Sequence, residues 1–266
     1  MKSALIPQLA SIVLVAGLFL PCVLRAQTNV PAQTTNTIEK FRLVTYREDD
    51  PKKTPQERVI LETTFSSNSI ISVCESRRAD GLEIAHVKMK PDGTLIFAAK
   101  EQKNSKGATV VNSRIWPESD KLHAEILRAS GKQSIRSTDI DDNDPVADVG
   151  LLYRLRSFPF NQGKTVNLLV AAFSQHFVTM QLKQIGSQTI KTPAGTFSCY
   201  KLKGTVDLVV MQIDTIYWVT KAKPHYLVQY SGKRGILLAP VYVTTLTHID
   251  ALGEKKTSDT EEVQED

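Results

Sequence analysis

The sequence has few cysteines, no recognisable catalytic motif and only one long apolar run. Three of its 266 residues are cysteine, and Cys22 lies in the N-terminal apolar run. This count excludes the disulfide-dense class of small secreted domains. No Gly-x-Ser-x-Gly elbow occurs, and neither Cys74 nor Cys199 has a histidine close in sequence to activate it. Most common nucleophilic enzymes are therefore not indicated, and no catalytic residue is predicted.

The chain also lacks a strong excess of charge of one sign. Its formal net charge is +5, and removing residues 1–26 takes away Lys2 and Arg25, which lowers it to +3. The remaining basic residues are spread along the chain, whereas nucleic-acid-binding proteins gather them in one patch or stripe. The composition therefore argues against a nucleic-acid partner.

The apolar run has the pattern of a secretory signal peptide. Lys2 is followed by residues 4–24 without a charge, and the run ends at Arg25-Ala26-Gln27. A positive start, an apolar middle and a small residue at the exit are typical of a cleaved export signal. The pattern predicts cleavage after Ala26, with Ala32 as the alternative, and a periplasmic or secreted protein that is not an integral membrane protein.

Two other interpretations of this run are weaker. The run is about as long as a membrane-spanning helix requires, but Pro7 and Pro21 argue against such a helix. Cys22 resembles the acylated cysteine of a lipoprotein, but Pro21 stands where lipoprotein processing needs a small residue. Lipid anchoring at Cys22 is therefore not expected.

Composition divides the mature chain into three parts. Residues 27–38 are rich in Gln, Thr, Asn and Pro with little to bury, which predicts a flexible lead-in. Residues 253–266 carry acids and lysines without an apolar face, which predicts a disordered tail. Residues 39–252 are predicted to form a single β-rich domain.

The pattern of this domain is that of a mainly β protein. Runs rich in Val, Ile, Thr and aromatic residues are separated by Gly, Pro, Asp or Asn. Apolar residues alternate with polar ones at 178, 180 and 182 and again at 226, 228 and 230, which predicts strands with one buried face. Turn signals are predicted at Pro91-Asp92-Gly93, Ser130-Gly131-Lys132 and Ser231-Gly232-Lys233.

Two segments have helical features. Residues 144–157 place Pro145 at a possible first turn, with Val149, Leu152, Tyr153 and Leu155 on one face, which predicts a short helix packed on the sheet. Residues 117–128 fit either a helix or a strand, and their alternation slightly favours a strand.

Short matches to ligand-binding motifs are explained better without a ligand. Gly163-Lys164-Thr165 copies the end of a phosphate loop, but Phe158 occupies a required glycine position, which leaves a turn. Residues 139–144 resemble a calcium loop, but Asp144 and Gly150 occupy its Gly and Glu positions, which indicates a solvated loop that caps the next helix. The five histidines are far apart, so neither a metal nor a cofactor is predicted.

Cys74 and Cys199 remain after cleavage of the signal peptide. Each lies in an apolar, strand-like run, which predicts buried free thiols that pack as small apolar side chains. A disulfide between them is the alternative, since the predicted compartment allows it.

The second half of the chain resembles a known family. The segments concerned are 148–155, Phe160-Asn161-Gln162-Gly163, Thr192-Pro193-Ala194-Gly195-Thr196-Phe197-Ser198-Cys199-Tyr200-Lys201, Tyr217-Trp218-Val219 and 226–230. They are similar to bacterial envelope proteins grouped as a conserved domain of unknown function with a Pro-Ala-Gly-Thr-Phe hairpin. The resemblance covers residues 145–250 well and 40–140 loosely. It implies a large curved antiparallel sheet, or half-barrel, with one or two short helices, as in lipoprotein carriers, with Pro193 and Gly195 as structural turn residues.

The expected function is non-enzymatic binding of a lipid, another apolar or amphipathic ligand, or an envelope partner on the concave face of this sheet. A structural or assembly factor that acts through a sheet edge and a hydrolase with a dispersed site are the alternatives. The residues expected on the apolar face are Val178, Met180, Leu182, Leu208, Tyr217, Trp218 and Tyr226.

Overall fold

The computed structural model describes residues 36–141, 143–208, 211–233 and 240–255. The predicted signal peptide, Cys22, Ala32 and the predicted new N-terminus at Gln27 lie outside the described residues. The first strand begins at Asn36 and the last ends at Lys255, so β structure extends three residues beyond each predicted bound of the domain. The rest of the predicted lead-in and tail also lies outside the described residues.

Strands make up most of the described chain. In chain order they are β1 Asn36–Arg47, β2 Glu57–Phe65, β3 Ile70–Arg78, β4 Gly81–Met89, β5 Leu95–Asn104, β6 Thr109–Glu118, β7 Lys121–Arg128, β8 Gln133–Asp139, β9 Asp144–Ala147, β10 Thr165–Ala171, β11 Phe177–Thr192, β12 Gly195–Leu208, β13 Met211–Thr220, β14 Leu227–Lys233 and β15 Val241–Lys255. Between β9 and β10 lie the helix α1, Leu151–Arg154, and a 3₁₀ turn, Leu155–Ser157.

The strands form one sheet in the order β8-β7-β6-β5-β4-β3-β2-β1-β15-β14-β13-β12-β11-β10-β9. Neighbouring strands are antiparallel except β9 and β10, which are parallel and joined through α1. The first and last strands pair with each other in the middle of the sheet. The prediction of a mainly β protein with a large antiparallel sheet and one or two short helices is confirmed.

Chain connectivity forces this sheet to curve. The edge strands β8 and β9 are joined by only four residues, a stretch that spans at most about 18 Å. A flat sheet of 15 strands would separate its edges by about 67 Å. Gln175, in the β10–β11 turn, also donates to the carbonyl oxygens of Ala124 in β7 and Ser134 in β8, at 2.9 and 2.7 Å. The two ends of the sheet therefore meet around α1.

Residue alternation in several strands agrees with the sequence. In β11, Met180 and Leu182 are buried while the residues between and beside them are exposed. Residues 117–128 belong to β6, a tight turn and β7, so the preference for a strand is confirmed. The expected common face for Tyr226, Val228 and Tyr230 is wrong, because the pairing of β13 with β14 shifts between Trp218 and Val219 and sends Val228 to the opposite core cluster.

Two of the three predicted Gly turns are confirmed. Gly93 and Gly131 have φ of 88° and 79° and lie in the β4–β5 and β7–β8 turns. The Thr94 amide donates to the Asp92 carboxylate at 2.9 Å, which is the local bond expected of Asp in a turn. The third prediction is wrong, because Gly232 lies inside β14. A Cβ at Gly232 would come within 2.8 Å of Thr215 Oγ1 in β13, so this glycine permits close strand contact.

The helix predicted over residues 144–157 is shorter than expected. Residues 144–147 form β9, which pairs with β10, and only residues 151–157 are helical. Pro145 fits this position because an edge strand tolerates a missing amide donor. The loop at 139–144 therefore joins β8 to β9, and Gly150 occupies the N-cap without a side-chain hydrogen bond. The predicted capping role of that loop is wrong.

Polar anchors hold the helical segment inside the curved sheet. The Tyr153 hydroxyl hydrogen bonds to Thr63 in β2 and accepts from Ser72 in β3 at 3.4 Å. Arg156 forms a buried ion pair with Glu39 of β1 at 2.8 Å. Its guanidinium also lies within 5.5 Å of the ring centroids of four aromatic side chains, Phe41, Phe65, Tyr153 and Tyr226. These contacts fix the helical segment against the first strands.

Both described cysteines are free thiols, as predicted, with Cys74 half-buried in β3 and Cys199 buried in β12. Among the described residues, no helix has the length and apolar character that a bilayer span requires.

Candidate functional site

A cleft of about 340 Å³ lies between the helical segment and the inner face of the sheet. Its walls come from β1 to β5, from β13 to β15 and from residues 148–152. The cleft therefore exists only because the sheet curves and brings strands from both ends of the chain around one segment.

One part of the cleft wall is apolar. Strands of the first half supply Leu43, Val59 and Ala85, which are inward positions of β1, β2 and β4. The helical segment and the second half of the sheet supply Val149, Leu151, Leu152, Tyr217 and Tyr230. This part of the cleft suits a hydrocarbon or aromatic group.

The opposite part carries a row of paired charges. Arg78 of β3 contacts Glu57 of β2 at 3.0 Å and Glu83 of β4 at 3.5 Å. Lys100 of β5 contacts the other oxygen of Glu83 at 3.4 Å. Ser76 also donates to Glu57. Two cations and two carboxylates thus compensate each other along neighbouring strands.

Asp148 adds a third carboxylate to the same cleft. It follows β9, and its Oδ1 accepts the Val149 amide at 2.8 Å. Within the described part of the chain, Asp148 forms no ion pair. Desolvation by the surrounding protein raises its pKa to about 6, although nearby Lys100 acts in the opposite direction. Asp148 is itself exposed to solvent, and it lines the cleft.

Cys74 lines the cleft between these charges. Burial, followed by the negative charges of Glu57 and Asp148, raises the pKa of its thiol to about 12. The thiol is therefore neutral at physiological pH, which makes it a poor nucleophile and a poor metal ligand.

Six of the seven residues predicted for an apolar ligand face have described side chains, and these six do not lie on one surface. Met180 and Leu182 are 4% and 1% exposed and pack against the protein's own side chains with Tyr217. Val178 continues the same face of β11, and among the six with described side chains only Tyr217 lines the cleft. The side chain of Leu208 lies outside the described residues.

Trp218 and Tyr226 lie elsewhere. Trp218 is adjacent to Tyr217 in β13, so it points to the opposite face of the sheet. There it packs with Ile190, Cys199 and Val228, and its indole donates to Gln188 at 3.0 Å. Tyr226 contacts Arg156 and Phe41. A ligand-binding role for these residues stays a prediction, but they do not form one surface.

The predicted turn residues Pro193 and Gly195 lie where the motif places them. Pro193 and Ala194 connect β11 to β12, and Thr192 pairs with Gly195 across the turn. Gly195 has φ of 133°, a conformation that residues with a Cβ rarely adopt.

Two carboxylates of the segment at 139–144 form ion pairs with basic residues of the protein. Asp139 pairs with Lys121, and Asp144 pairs with Arg154. Across the described ranges, no cluster of three or more His, Cys, Asp or Glu residues could hold a metal ion.

The charged residues of the cleft were missed at the sequence level. Glu57 and Glu83 lie in phase with the inward residues of their strands, as Val59 and Ala85 show. Lys100 is likewise in phase with buried Ala98 of β5. Charges at inward positions of an alternating strand are the signal that could have revealed this cleft.

Comparison with protein families connects this architecture to a defined group. Residues 87–234 match the family model described as "Protein of unknown function (DUF3108)", which is more than half of the chain. The chain belongs to the DUF3108 family. The DUF3108 match begins in β4 and ends after β14, so it starts earlier and ends earlier than the resemblance at 145–250.

The DUF3108 region contains part of the cleft. Lys100, Asp148, the apolar residues of the helical segment, Tyr217 and Tyr230 lie inside it. Glu57, Cys74, Arg78 and Glu83 precede the matched residues in the chain. The cleft of this DUF3108 protein is thus completed by the first four strands and β15.

Two solved structures are similar over most of their length. One is a "putative lipoprotein" from Parabacteroides distasonis, with 12% identity, 82% of this chain and 96% of that chain covered, and a TM-score of 0.33. The other is a "putative exported protein with YmcC-like fold" from Bacteroides fragilis, with 12% identity, coverages of 80% and 95%, and a TM-score of 0.32. No curated protein matches the chain significantly.

Proposed function

We propose that this protein is exported to the bacterial envelope, where it binds an amphipathic small molecule in the cleft without catalysing a reaction. The observation that carries the proposal is the cleft itself, with an apolar part beside a row of charges. Its volume of about 340 Å³ lies at the lower end of the range for small-molecule sites. It suits a head group with one short tail better than a two-chain lipid.

The groups in the cleft favour binding over hydrolysis. A serine or cysteine nucleophile needs an adjacent base or a lowered pKa. Ser76 instead donates to Glu57, which is held by Arg78, and Cys74 has a pKa of about 12. No histidine is among the described residues that line the cleft.

A structural role through a sheet edge is the second candidate. The edge strand β8 is exposed along nearly its whole length, and Ile135 in this strand is 55% exposed. An edge strand of this kind can pair with a strand of another chain.

Dye binding to the purified mature protein distinguishes these two functions. The neutral dye N-phenyl-1-naphthylamine should gain fluorescence with the protein and lose it on addition of octyl glucoside. Val149→Trp, which fills the cleft from the segment before α1, should abolish the signal while circular dichroism and the melting temperature show a folded protein. Ile135→Trp on the exposed edge is the matched control and should bind the dye like the unmodified protein.

Two results would contradict binding in the cleft. These are absence of dye binding by the folded protein, and unchanged binding by Val149→Trp. Loss of self-association or partner pairing in an Ile135→Lys variant would then support the edge function.

The export part of the proposal has a separate test. N-terminal sequencing of envelope material should find a chain that begins at Gln27, because Ala26 ends the uncharged run. Recovery of a palmitate-labelled chain that begins at Cys22 would show a lipoprotein instead.

A further inference from the structure

Among the described residues that line the cleft, three carboxylates face two cations. Arg78 and Lys100 are both engaged with Glu57 and Glu83, as the contacts of 3.0–3.5 Å show. Asp148 is left without a cationic partner among the described residues, and its Oδ1 accepts only from the neighbouring Val149 amide. An ionised Asp148 therefore adds a negative charge that no described cation of the cleft pairs with.

Asp148 lies next to the apolar wall of the cleft, so its charge would meet one end of a ligand whose other end contacts that wall. The residue immediately precedes Val149, Leu151 and Leu152, which form the apolar wall from the helical segment. A molecule that contacts Asp148 with a polar head thus has apolar side chains directly beside it for a tail. The main-chain amide of Asp148 is itself bound to the Ala171 carbonyl oxygen at 3.1 Å, so the carboxylate is carried on a fixed backbone.

We infer that the ligand of the cleft is a single-chain amphiphile with a cationic amine head, which pairs with the Asp148 carboxylate while its tail lies against Leu152 and Val59. This inference rests on the proposed function and specifies its ligand class. An anionic head would meet two cations that are already paired and, among the described lining residues, one carboxylate more than there are cations. An amine supplies both the missing positive charge and N–H donors for the free carboxylate oxygen.

The pH dependence follows from the titratable and charged groups that line the cleft together with Asp148. These are Lys100 of β5, Glu83 of β4, Cys74 and Arg78 of β3, and Glu57 of β2. Cys74 stays neutral, since its thiol has a pKa of about 12. Asp148 has a raised pKa of about 6, so its carboxylate is mostly ionised at pH 7.5 and mostly protonated at pH 5. Amine affinity should fall as the pH is lowered through this range.

Competition between three octyl compounds tests the inference. Octylammonium, octyl glucoside and octyl sulfate share one tail and carry cationic, neutral and anionic heads. Each is titrated below its micelle concentration against protein loaded with N-phenyl-1-naphthylamine. Octylammonium should displace the dye at a concentration at least tenfold lower than octyl sulfate at pH 7.5, and this preference should shrink at pH 5.

Asp148→Asn is the decisive variant because it keeps the shape of the side chain and removes its charge. It should bind octylammonium about tenfold more weakly, bind octyl glucoside as before and lose the change in amine preference between pH 7.5 and pH 5. Asp139→Asn, on the exposed strand β8, removes the same charge at a residue that does not line the cleft and is the matched control. It should behave like the unmodified protein.

The outcomes separate this inference from the proposed function. If the dye and octyl glucoside bind but octylammonium has no advantage, or Asp148→Asn leaves its affinity unchanged, the amine inference is overturned and binding of amphiphiles stands. If neither the dye nor any octyl compound binds to the folded protein, both are overturned.

Discussion

Burial decides the chemistry of the two cysteine thiols. Desolvation raises the pKa of Cys74 to about 12 and that of Cys199 to about 11, with only Lys221 opposing it at Cys199. Both thiols are therefore almost entirely protonated at pH 8, where an ordinary cysteine begins to ionise. The mature native protein should react slowly with a thiol reagent, and two thiols should react quickly after denaturation without reductant. A count of zero in the denatured, non-reduced protein would reveal a disulfide.

Arg156 stabilises the packing of the helical segment against β1 through a buried ion pair. Its side chain is 14% exposed and its partner Glu39 is 9% exposed, so the ion pair is largely removed from solvent. Arg156→Met should destabilise the protein by roughly 3 kcal/mol, because it leaves a buried carboxylate without its cation. Chemical denaturation measures this loss.

Two further variants test the cause of that loss. Glu39→Gln combined with Arg156→Met should recover part of the stability, since no unpaired charge is left. Arg136→Met, on an exposed position of β8, should change the free energy of unfolding by less than about 0.5 kcal/mol. Equal losses for Arg156→Met and Arg136→Met would show that the buried pair and its aromatic neighbours contribute nothing.

At the scale of single elements, the β11–β12 hairpin depends on the backbone of one glycine. A Cβ at Gly195 would meet only the Phe197 ring, at 3.6 Å, so space is available. The φ of 133° is the obstacle, because a β-branched residue strongly disfavours it. Gly195→Val should cost about 1–3 kcal/mol, whereas Thr196→Val, at an exposed position of the same strand, should cost less than about 0.5 kcal/mol. Equal thermal midpoints for the two variants would refute this explanation of the turn.

Local sequence patterns predicted an element correctly where the pattern fits only one kind of structure. The alternation around Met180 and the turn at Pro91-Asp92-Gly93 depend on nearby residues and were located correctly. Pro145 fits both a first helical turn and an edge strand, and tertiary pairing with β10 decided for the strand. The bulge near Trp218 inverted the expected face at Val228 for a similar reason, since strand pairing determines where a bulge forms.

The cleft was beyond such local patterns. Its carboxylates Glu57, Glu83 and Asp148 belong to three separate elements, and only the register of β2, β3 and β4 brings the first two to the same arginine. Asp148 lies in the same cleft because it directly follows β9, the strand at the far edge of the sheet. The curvature of the sheet brings β9 into contact with β5. Long-range topology of this kind is not encoded in the spacing of neighbouring residues.

At the scale of the whole molecule, Gln175 joins the two ends of the sheet. Its amide group donates to the carbonyl oxygens of Ala124 and Ser134 and accepts from the Ser134 hydroxyl at 2.9 Å. The residue is 6% exposed and has φ of 63°, a strained backbone conformation for a residue other than glycine. The side-chain bonds thus hold an unfavourable backbone conformation in place, and they connect the β10–β11 turn to β7 and β8.

Removing this side chain should loosen the contact between the sheet ends. Gln175→Ala should lower the free energy of unfolding by about 2 kcal/mol, because three hydrogen bonds are lost and the backbone strain remains. Gln175→Gly loses the same bonds but accepts the positive φ, so it should cost up to about 1 kcal/mol less. Ser174→Ala, at an exposed neighbour that bonds only within its own turn, is the control and should have little effect.

Amide hydrogen exchange should accelerate in β8 and in the β10–β11 turn of both Gln175 variants and stay unchanged in the β1–β15 pair at the centre of the sheet. Uniform acceleration across the sheet, or none in β8, would show that the two ends are held together by contacts other than Gln175.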